Sequence, residues 1–224
     1  MQKTYNYLIK FVSKREFADD LINGNFYMNI AKYFHRLEGM QGDQAEAAVS
    51  YQSMIFKNTH APIFCMYTVY TDQMVNGCVK VPKKVIEDFK ATYAVVINAQ
   101  RLELLLSSNK LQTYFGFAFG VVGYKILTPE DTIALFQDKH MTNLFIKRPY
   151  FLQQQEYRIA VNEYVPDELE QMGFEGIMIN KVKENGHKTY CINNVDSFSS
   201  FCKLVDLSTV SKINDNVFID CRGV

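Results

Sequence analysis

One stretch of the chain alternates polar and apolar side chains, and its polar members are Gln154, Glu156 and Arg158. A period of two is typical of a β-strand and places this amide, carboxylate and guanidinium on one face. A carboxylate between such neighbours is held in orientation and kept ionised. The alternative is a solvated sheet face that carries an ordinary ion pair. Lys147, which precedes the stretch, adds a second cation to this candidate site.

A second group of carboxylates lies in a glycine-punctuated polar stretch between residues 29 and 50. Such stretches are typical of loops, and functional groups favour loops on rigid scaffolds. Asp43 and Glu46 are three residues apart, so a helical turn would bring both carboxylates together. The alternative is that Asp43 caps a short helix that begins near Gln44.

Three further kinds of chemistry can be weighed from the residue types. Asp43, Glu46 and Glu156, with the nearby lysine, could bind a divalent ion in a nuclease-like site. The four histidines are far apart and form no His-x-x-His or Cys/His pair, so they predict no metal site. Cys65 lies among apolar residues of a predicted strand, which is typical of a core thiol rather than a nucleophile.

The elements that must position these residues begin with a strand at residues 5–11, where aromatic and branched side chains recur at every second position. Ser13 and Glu16 have the spacing of a capping box, which predicts a helix after the strand. The helix is expected to end with Gly24 as a left-handed cap, before a strand at residues 26–28. Its side chains expected to face the core are Phe17, Ala18, Leu21 and Ile22.

Later elements follow the same rules. The β-rich run at residues 62–70 predicts a central strand, and Thr128 before a proline predicts a helix start. Residues 166–172 are expected to form a helix, and residues 176–180 and 189–192 the two strands of a hairpin. Strands and helices are mixed without strict βαβ alternation, and no repeat or linker is present. We therefore expect a single α+β domain over residues 1–224.

The composition limits the classes of function that the protein could have. The chain has 224 residues, 48% hydrophobic and 21% charged, which is ordinary for a globular protein. Its net charge is zero, so nucleic acid would have to bind through a local patch. Five widely spaced cysteines without a Cys-x-x-Cys motif favour a reducing compartment. No signal-peptide layout or long apolar run is present, so we expect a cytoplasmic protein without membrane contact.

These motifs together resemble the DUF2971-type bacterial proteins that occur in phage-defence settings. In that family an opening helix is followed by an Asn/Gly-Asp-x-x-Glu element, a Cys-Phe-Ser-like strand, and a lysine before Glu-Tyr-Arg. The matching residues here are Gly42-Asp43-x-x-Glu46, Phe64-Cys-Met-Tyr67, Lys147 and Glu156-Tyr-Arg158. The chain departs from the pattern at Gln44, where the family has proline, and around Met66, where it has serine. The resemblance covers about residues 5–162 and makes residues 163–224 a C-terminal extension.

The chain also resembles the ADP-ribosyltransferases, which implies a mixed, split β-sheet flanked by short helices and NAD as the substrate. Those enzymes carry a polar NAD-contacting residue on the first strand and Gln/Glu-x-Glu on a late strand. Gln154-Gln-Glu156 matches the late motif, and Lys10 or Asn6 lies at the first-strand position. The resemblance implies that Glu156 holds the ribose 2′-hydroxyl and stabilises the cationic centre as nicotinamide leaves. The chain departs from the family in having no His or Arg on its first strand.

The same resemblance implies a set of site residues. The catalytic residues would be Glu156, Gln154, which orients the acceptor, and Arg158. The NAD-contacting residues would be Lys10, Tyr27, Asn29, Asp43, Tyr67 and Lys147, with Tyr67 or Tyr27 stacked on nicotinamide. The expected activity is that of an abortive-infection toxin that transfers ADP-ribose to nucleic acid or protein without a metal, and an antitoxin is an expected partner. The alternatives are a non-catalytic nucleotide- or partner-binding module and the metal-dependent nuclease.

Overall fold

Strands and short helices follow one another along the parts of the chain that the computed structural model describes, which are residues 4–37, 43–107, 116–161, 173–174, 177–184, 187–193 and 198–224. The α-helices in these parts are α1 (Arg15–Ile22), α2 (Lys83–Asp88), α3 (Ala99–Leu106) and α4 (Pro129–Gln137). The strands are β1 (Tyr5–Val12), β2 (Phe26–Ile30), β3 (Ala48–Ser50), β4 (Ile55–Phe56), β5 (Pro62–Tyr70), β6 (Met74–Val75), β7 (Cys78–Pro82), β8 (Tyr93–Asn98), β9 (Phe117–Val121), β10 (Gly123–Tyr124), β11 (Ile146–Lys147), β12 (Glu156–Val161), β13 (Gly173–Phe174), β14 (Ile177–Glu184), β15 (His187–Asn193), β16 (Cys202–Asp206), β17 (Ser211–Ile213) and β18 (Asn216–Asp220). Short 3-10 helices lie at Ala31–Arg36, Thr71–Gln73, Thr142–Phe145, Pro149–Gln154 and Phe198–Phe201. This content confirms the predicted α+β class.

The large sheet forks at β5. On one edge of β5, Tyr67 pairs with Ile9 of β1, and Ile63 pairs with Asn29 of β2. The opposite edge pairs with β12, where Glu156 lies beside Tyr67. Two strands therefore share one edge of β5 and diverge from each other, and we call this point the fork.

Each arm of the fork continues into further strands. One arm runs through β1, β8 and β16, the other through β2, β15, β14 and β13, and β9 pairs with β12 beyond the opposite edge of β5. The ladders of this sheet within the described ranges are antiparallel. A four-stranded sheet has the order β17-β18-β7-β6, and β3 pairs with β4. The parallel pair β10–β11 matters for the site, because it places Tyr124 beside Lys147.

Two apolar cores cover opposite faces of the sheet. Leu8 and Ile9 are neighbours on β1, so they point to opposite sides of the strand. Leu8 packs in the core that contains Tyr157 and residues of α1 and α3. Ile9 packs in the core that contains Tyr67 and apolar residues of β7 and β18. Both faces of the central strands are therefore covered, and polar residues of β12 lie within the protein rather than on its surface.

The main predicted elements are confirmed. The strands expected at residues 5–11, 26–28 and 62–70 are β1, β2 and β5. The predicted hairpin is also confirmed, since β14 and β15 pair antiparallel. The helix predicted at residues 166–172 lies outside the described residues.

The prediction that Ser13 caps α1 is wrong. The chain bends at Ser13 after β1 has ended, and Lys14 takes the cap position without a side-chain hydrogen bond. Glu16 binds the Lys14 amine at 3.1 Å instead of reaching back to a serine. Phe17, expected in the core, is 48% exposed, whereas Leu21 is buried. A helix of eight residues buries only a narrow stripe, and Phe17 lies outside it.

Two other predicted helix ends are confirmed. Gly24 follows α1 with a φ of 83°, and its backbone N–H donates to the Leu21 carbonyl at 2.9 Å. Thr128 caps α4 through a capping box, because the Asp131 N–H donates to its hydroxyl while its own N–H donates to the Asp131 carboxylate. Pro129 is the first helical residue, as predicted. Within the described ranges, each helix is too short or too polar to span a membrane.

Candidate active site

A cavity of about 760 Å³ opens at the fork. Residues from both arms, from β5 and from β12 line it, because β1 and β2 leave a gap between them beside β5. Eight predicted site residues line this cavity, and they are Lys10, Tyr27, Asn29, Tyr67, Lys147, Gln154, Glu156 and Arg158. Residues far apart in the sequence are thus brought to one place, and their roles there stay predictions.

Asp43 is the predicted site residue that the structure does not bring to this cavity wall. Its Oδ1 accepts hydrogen bonds from Ala45 N at 2.9 Å and from Arg148 Nη2 at 2.5 Å. The Glu46 N–H donates to the Asp43 carbonyl, so residues 44–47 form a turn rather than a helix. Asp43 therefore fixes this turn, close to the capping alternative. Gly42 of the same motif lies outside the described residues.

Gln154 was predicted to contact the site from strand β12, but it does so from the 3-10 helix that precedes this strand. Strand β12 begins only at Glu156, and Gln154 ends the preceding 3-10 helix. Gln155 between them has a φ of 41°, a left-handed conformation that breaks the period-two alternation. The Gln154 side chain still meets the site, because Lys147 Nζ donates to its Oε1 at 2.7 Å. The prediction that Gln154 and Glu156 share a strand face is wrong, although both contact Lys147.

Four charged side chains form a buried network, which we call the charge cluster: Glu46, Lys147, Glu156 and Arg158. Lys147 Nζ donates to Glu156 Oε2 at 2.7 Å and lies 3.7 Å from Glu46 Oε2. Arg158 Nε donates to Glu156 Oε1, the other carboxylate oxygen. Glu156 is 5% exposed. The alternative of a solvated sheet face is therefore wrong, because this face of β12 is closed to solvent.

Arg158 donates its hydrogen bonds to partners inside the protein. Its Nη2 donates to Glu46 Oε2 at 2.8 Å, and its Nη1 donates to Glu46 Oε1 and to the Leu144 carbonyl. With the bond from Nε to Glu156, the planar guanidinium bridges two carboxylates. Arg158 is fully buried. Its contacts hold Glu156 in place, and its predicted catalytic role stays a prediction.

The electrostatics of the charge cluster favour the ionised forms of Glu156, Lys147 and Arg158. Burial alone would raise the pKa of the Glu156 carboxyl, but the charges of Arg158 and Lys147 outweigh it and hold the pKa well below its usual range. Burial opposes the charged form of Lys147, but Glu156 and Glu46 outweigh it and raise the pKa of the amine. Two carboxylates and two cations give the cluster a formal charge of zero. Glu156 is consequently a carboxylate throughout the neutral pH range.

Two residues at this site were not among the predicted catalytic or NAD-contacting residues. Glu46 was expected beside Asp43, and its contact with Arg158 joins the turn to β12 across 112 positions of sequence. Tyr124 accepts a hydrogen bond from the Glu156 backbone N–H at 2.8 Å, which fixes the start of β12. The parallel β10–β11 pair supports this contact. A parallel pair of two-residue strands has no sequence pattern, so nothing in the sequence pointed to Tyr124.

The aromatic residues of the cavity differ in how well they could stack on a ring. Tyr67 is buried, its ring packs edge-on against Phe11 at 5.9 Å, and its hydroxyl accepts a hydrogen bond from Gln73. Its predicted stacking on nicotinamide does not fit this arrangement. Tyr27 is 50% exposed and Phe17 is 48% exposed, and both line the cavity. The stacking of Tyr27 on nicotinamide stays a prediction, and Phe17, which the sequence had assigned to the core, presents a second exposed ring at the cavity.

The carboxylates do not form a metal centre in this arrangement. Asp43 binds Arg148, and Glu46 and Glu156 both bind Arg158, so each carboxylate is matched by a cation. Among the described residues, no group of three or more His, Cys, Asp or Glu side chains could hold a metal ion. The nuclease alternative therefore has no such ligand group in the part of the chain that the structure describes.

Comparisons of the chain with protein families, with curated proteins and with solved structures found no match.

Proposed function

We propose that the protein uses NAD to transfer ADP-ribose to a macromolecule, with Glu156 as its catalytic carboxylate. The observation that carries this proposal is an ionised glutamate in the wall of a cavity at a fork in the sheet. A forked sheet with a glutamate at the start of a late strand supports the resemblance to ADP-ribosyltransferases, and Gln154 meets the same site from the preceding 3-10 helix. The cavity of about 760 Å³ lies within the range of small-molecule sites, which suits a dinucleotide.

Glu156 retains the capacity to bind a ribose hydroxyl. A carboxylate has about four lone-pair sites, and Arg158 and Lys147 each donate to a different oxygen of Glu156. A sugar 2′-hydroxyl can donate to one of the remaining sites. These two contacts also fix the direction of the carboxylate, so little reorganisation is needed when positive charge develops at the anomeric carbon.

The proposed reaction breaks the bond between the ribose anomeric carbon and the nicotinamide nitrogen. Nicotinamide leaves with the bonding electrons, and a nucleophile of the acceptor then bonds to the same carbon and loses its proton. Glu156 stabilises the cationic centre between these steps, and Gln154 at the cavity wall orients the acceptor. Tyr27 stacks on nicotinamide. The acceptor is a nucleic acid or a protein, as for a defence-associated toxin, and an antitoxin would act as its partner.

The proposal is tested by measuring nicotinamide release from NAD in a cell lysate that supplies acceptors. The wild type is expected to release nicotinamide, and Glu156→Gln to release at least about 100-fold less, because an electrostatic stabiliser is lost. Asp220→Asn is a matched control. Asp220 also binds one arginine and one lysine, Arg222 at 2.8 Å and Lys203 at 3.1 Å, but it lies outside the cavity.

Thermal unfolding of all three proteins establishes that each is folded. No release from the folded wild type, or equal release from the folded Glu156→Gln protein, would overturn the proposal. Loss of release in Asp220→Asn as well would mean that general destabilisation, and not the loss of a catalytic carboxylate, explains the effect.

A second candidate function is a nucleotide-binding module without catalysis. The observation that favours it is the zero formal charge of the charge cluster, since two cations already neutralise the carboxylates. A neutralised carboxylate stabilises a developing cation less than a free one. Calorimetric titration separates the two functions: a module binds NAD without consuming it, whereas the transferase consumes NAD in the presence of acceptors.

A further inference from the structure

Two lysines line the cavity, and the structure holds their amines in opposite ways. Lys147 donates to Glu156 and Gln154 at 2.7 Å, and so belongs to a full ion-pair network. Lys10 donates to the Cys65 backbone carbonyl at 2.8 Å and lies 4.4 Å from the centre of the Phe64 ring. Among the described residues Lys10 forms no salt bridge, and its amine donates to a neutral carbonyl instead.

The fork explains why Lys10 is in this position. The edge of β5 that β1 and β2 share pairs with β2 at Ile63 and with β1 from Tyr67 onward. Between these contacts no residue of β1 or β2 pairs with Cys65, and the Lys10 amine donates to its carbonyl. The amine is thus fixed by a neutral acceptor at the wall of a cavity that is open to ligands.

We propose that Lys10 is a reactive amine that captures aldehydes or ketones entering the cavity as an imine. A lysine held in apolar surroundings without a carboxylate partner is the usual arrangement for a nucleophilic amine. The free amine attacks the carbonyl carbon and forms a carbinolamine, which loses water and leaves a carbon–nitrogen double bond to Nζ. No oxidant or reductant is needed. This activity is independent of NAD and goes beyond the proposed function.

The electrostatics around Lys10 agree with this assignment. Burial lowers the pKa of the Lys10 amine, and the attraction of the nearby Cys65 and Glu156 only partly offsets it. The Cys65 thiol does not compete as a nucleophile, because burial and Glu156 raise its pKa to about 12. Lys147, in the same cavity, has its pKa raised by Glu156 and Glu46 against the effect of burial. One amine of the cavity is therefore biased towards the free base and the other towards the cation.

The test uses acetaldehyde as the probe, with cyanoborohydride to reduce any imine, on the intact wild-type protein at pH 7. Peptide mass spectrometry then gives the rate of ethylation at each lysine. Lys10 is expected to react several-fold faster than Lys147, because its amine donates to a neutral carbonyl whereas Glu156 holds Lys147 as the cation. Lys147 is a matched control for access to the cavity, and the exposed Lys83 is a control for ordinary lysines.

The outcomes separate cleanly. Faster ethylation of Lys10 than of both control lysines supports the proposal, and ethylation of Lys10 at or below the rate of Lys147 overturns it. In Lys10→Met the fast phase of labelling is expected to disappear while Lys83 still reacts, and a fast phase that persists would also overturn the proposal. The wild-type map decides the question even where the variant does not fold, and no step of it requires NAD.

Discussion

Glu156 and Asp220 each bind one lysine and one arginine, yet the triad around Glu156 is buried and the triad around Asp220 lies at the surface. Glu156 binds Lys147 and Arg158 with all three side chains closed to solvent. Asp220 binds Lys203 and Arg222, and its side chain is 38% exposed. The two triads contain the same kinds of residue but differ in burial, and the buried triad also shares Arg158 and Lys147 with Glu46.

In both triads the pKa of the carboxyl is lowered, but for different reasons. For Asp220 the hydrogen bonds from Arg222 come first, and burial adds little. For Glu156 burial is the largest influence and acts in the opposite direction, so the charges of Arg158 and Lys147 must overcome it. A buried pair is strong only while every partner is present, since a lone buried charge is costly. A surface ion pair contributes less to stability, because dissolved ions screen its charges and water can take the place of either partner.

The two triads should differ most in the free energy of unfolding that is lost when the arginine is replaced. Arg158→Met leaves both Glu46 and Glu156 buried without a guanidinium, and should lower the free energy of unfolding by about 3 to 5 kcal/mol. Arg222→Met in the surface triad should change it far less. Urea unfolding of both variants measures the difference. Equal losses in the two variants would mean that burial does not govern these triads.

A smaller difference is expected for the two lysines. Lys147→Met leaves Glu156 with its bond to Arg158 but removes the hydrogen bond to the Gln154 amide oxygen as well. We expect a loss of about 2 to 3 kcal/mol in the free energy of unfolding, in the range of charged hydrogen bonds. Lys203→Met is the matched surface change and should have little effect. If Lys147→Met is as stable as wild type, the charge cluster does not depend on its second cation.

The sequence predicted the members of the buried triad but not its surroundings. Alternation gave the side of β12 that Glu156 and Arg158 occupy, because strand periodicity follows from backbone geometry alone. It could not show that this side is buried, since burial depends on the turn that carries Glu46, which is 112 residues from Arg158. Local patterns contain no information about such a contact. The same limit applies to Tyr124 and to the exposure of Phe17.

The fork shows the same difference between what local sequence patterns predict and what depends on contacts between distant segments. The individual strands β1, β2 and β5 were predicted from their composition and alternation. That β1 and β2 share one edge of β5 depends on pairing between distant segments, which the sequence alone does not fix. The left-handed conformation of Gln155, which takes Gln154 out of the strand, was equally hidden, because the pattern of side chains there still alternates.

The buried triad should also make the protein sensitive to acid in a defined pH window. The pKa of Glu156 is lowered in the folded state, so its contribution to stability is present above the unfolded value of about 4.3. That contribution is lost as the pH falls through this value towards the folded pKa. Between pH 6 and pH 2.5 we expect a loss of about 2 kcal/mol from this group. Urea unfolding at several pH values measures it.

The control for this prediction is Glu156→Gln, which has no group to titrate at that position. Its unfolding free energy should fall less steeply with acid than that of the wild type, because all other carboxylates, including Asp220, are common to both proteins. Identical slopes in the two proteins would contradict the assignment of an ionised, stabilising Glu156.

The smallest effect on the free energy of unfolding is expected for Asp220→Asn, which should be almost as stable as the wild type. The variant therefore tests whether the surface triad contributes to stability at all. Asn keeps an acceptor for the Arg222 backbone N–H, which bonds to Asp220 Oδ1 at 3.0 Å, and the exposed Arg222 side chain can turn to water. Urea unfolding in low and high salt should give the same difference between variant and wild type within error, since the water around this exposed pair already weakens it in both conditions. A clear loss in low salt that vanishes in high salt would show that the surface triad stabilises the protein electrostatically. Burial would then determine how strongly a triad stabilises the protein, but an exposed triad would stabilise it as well.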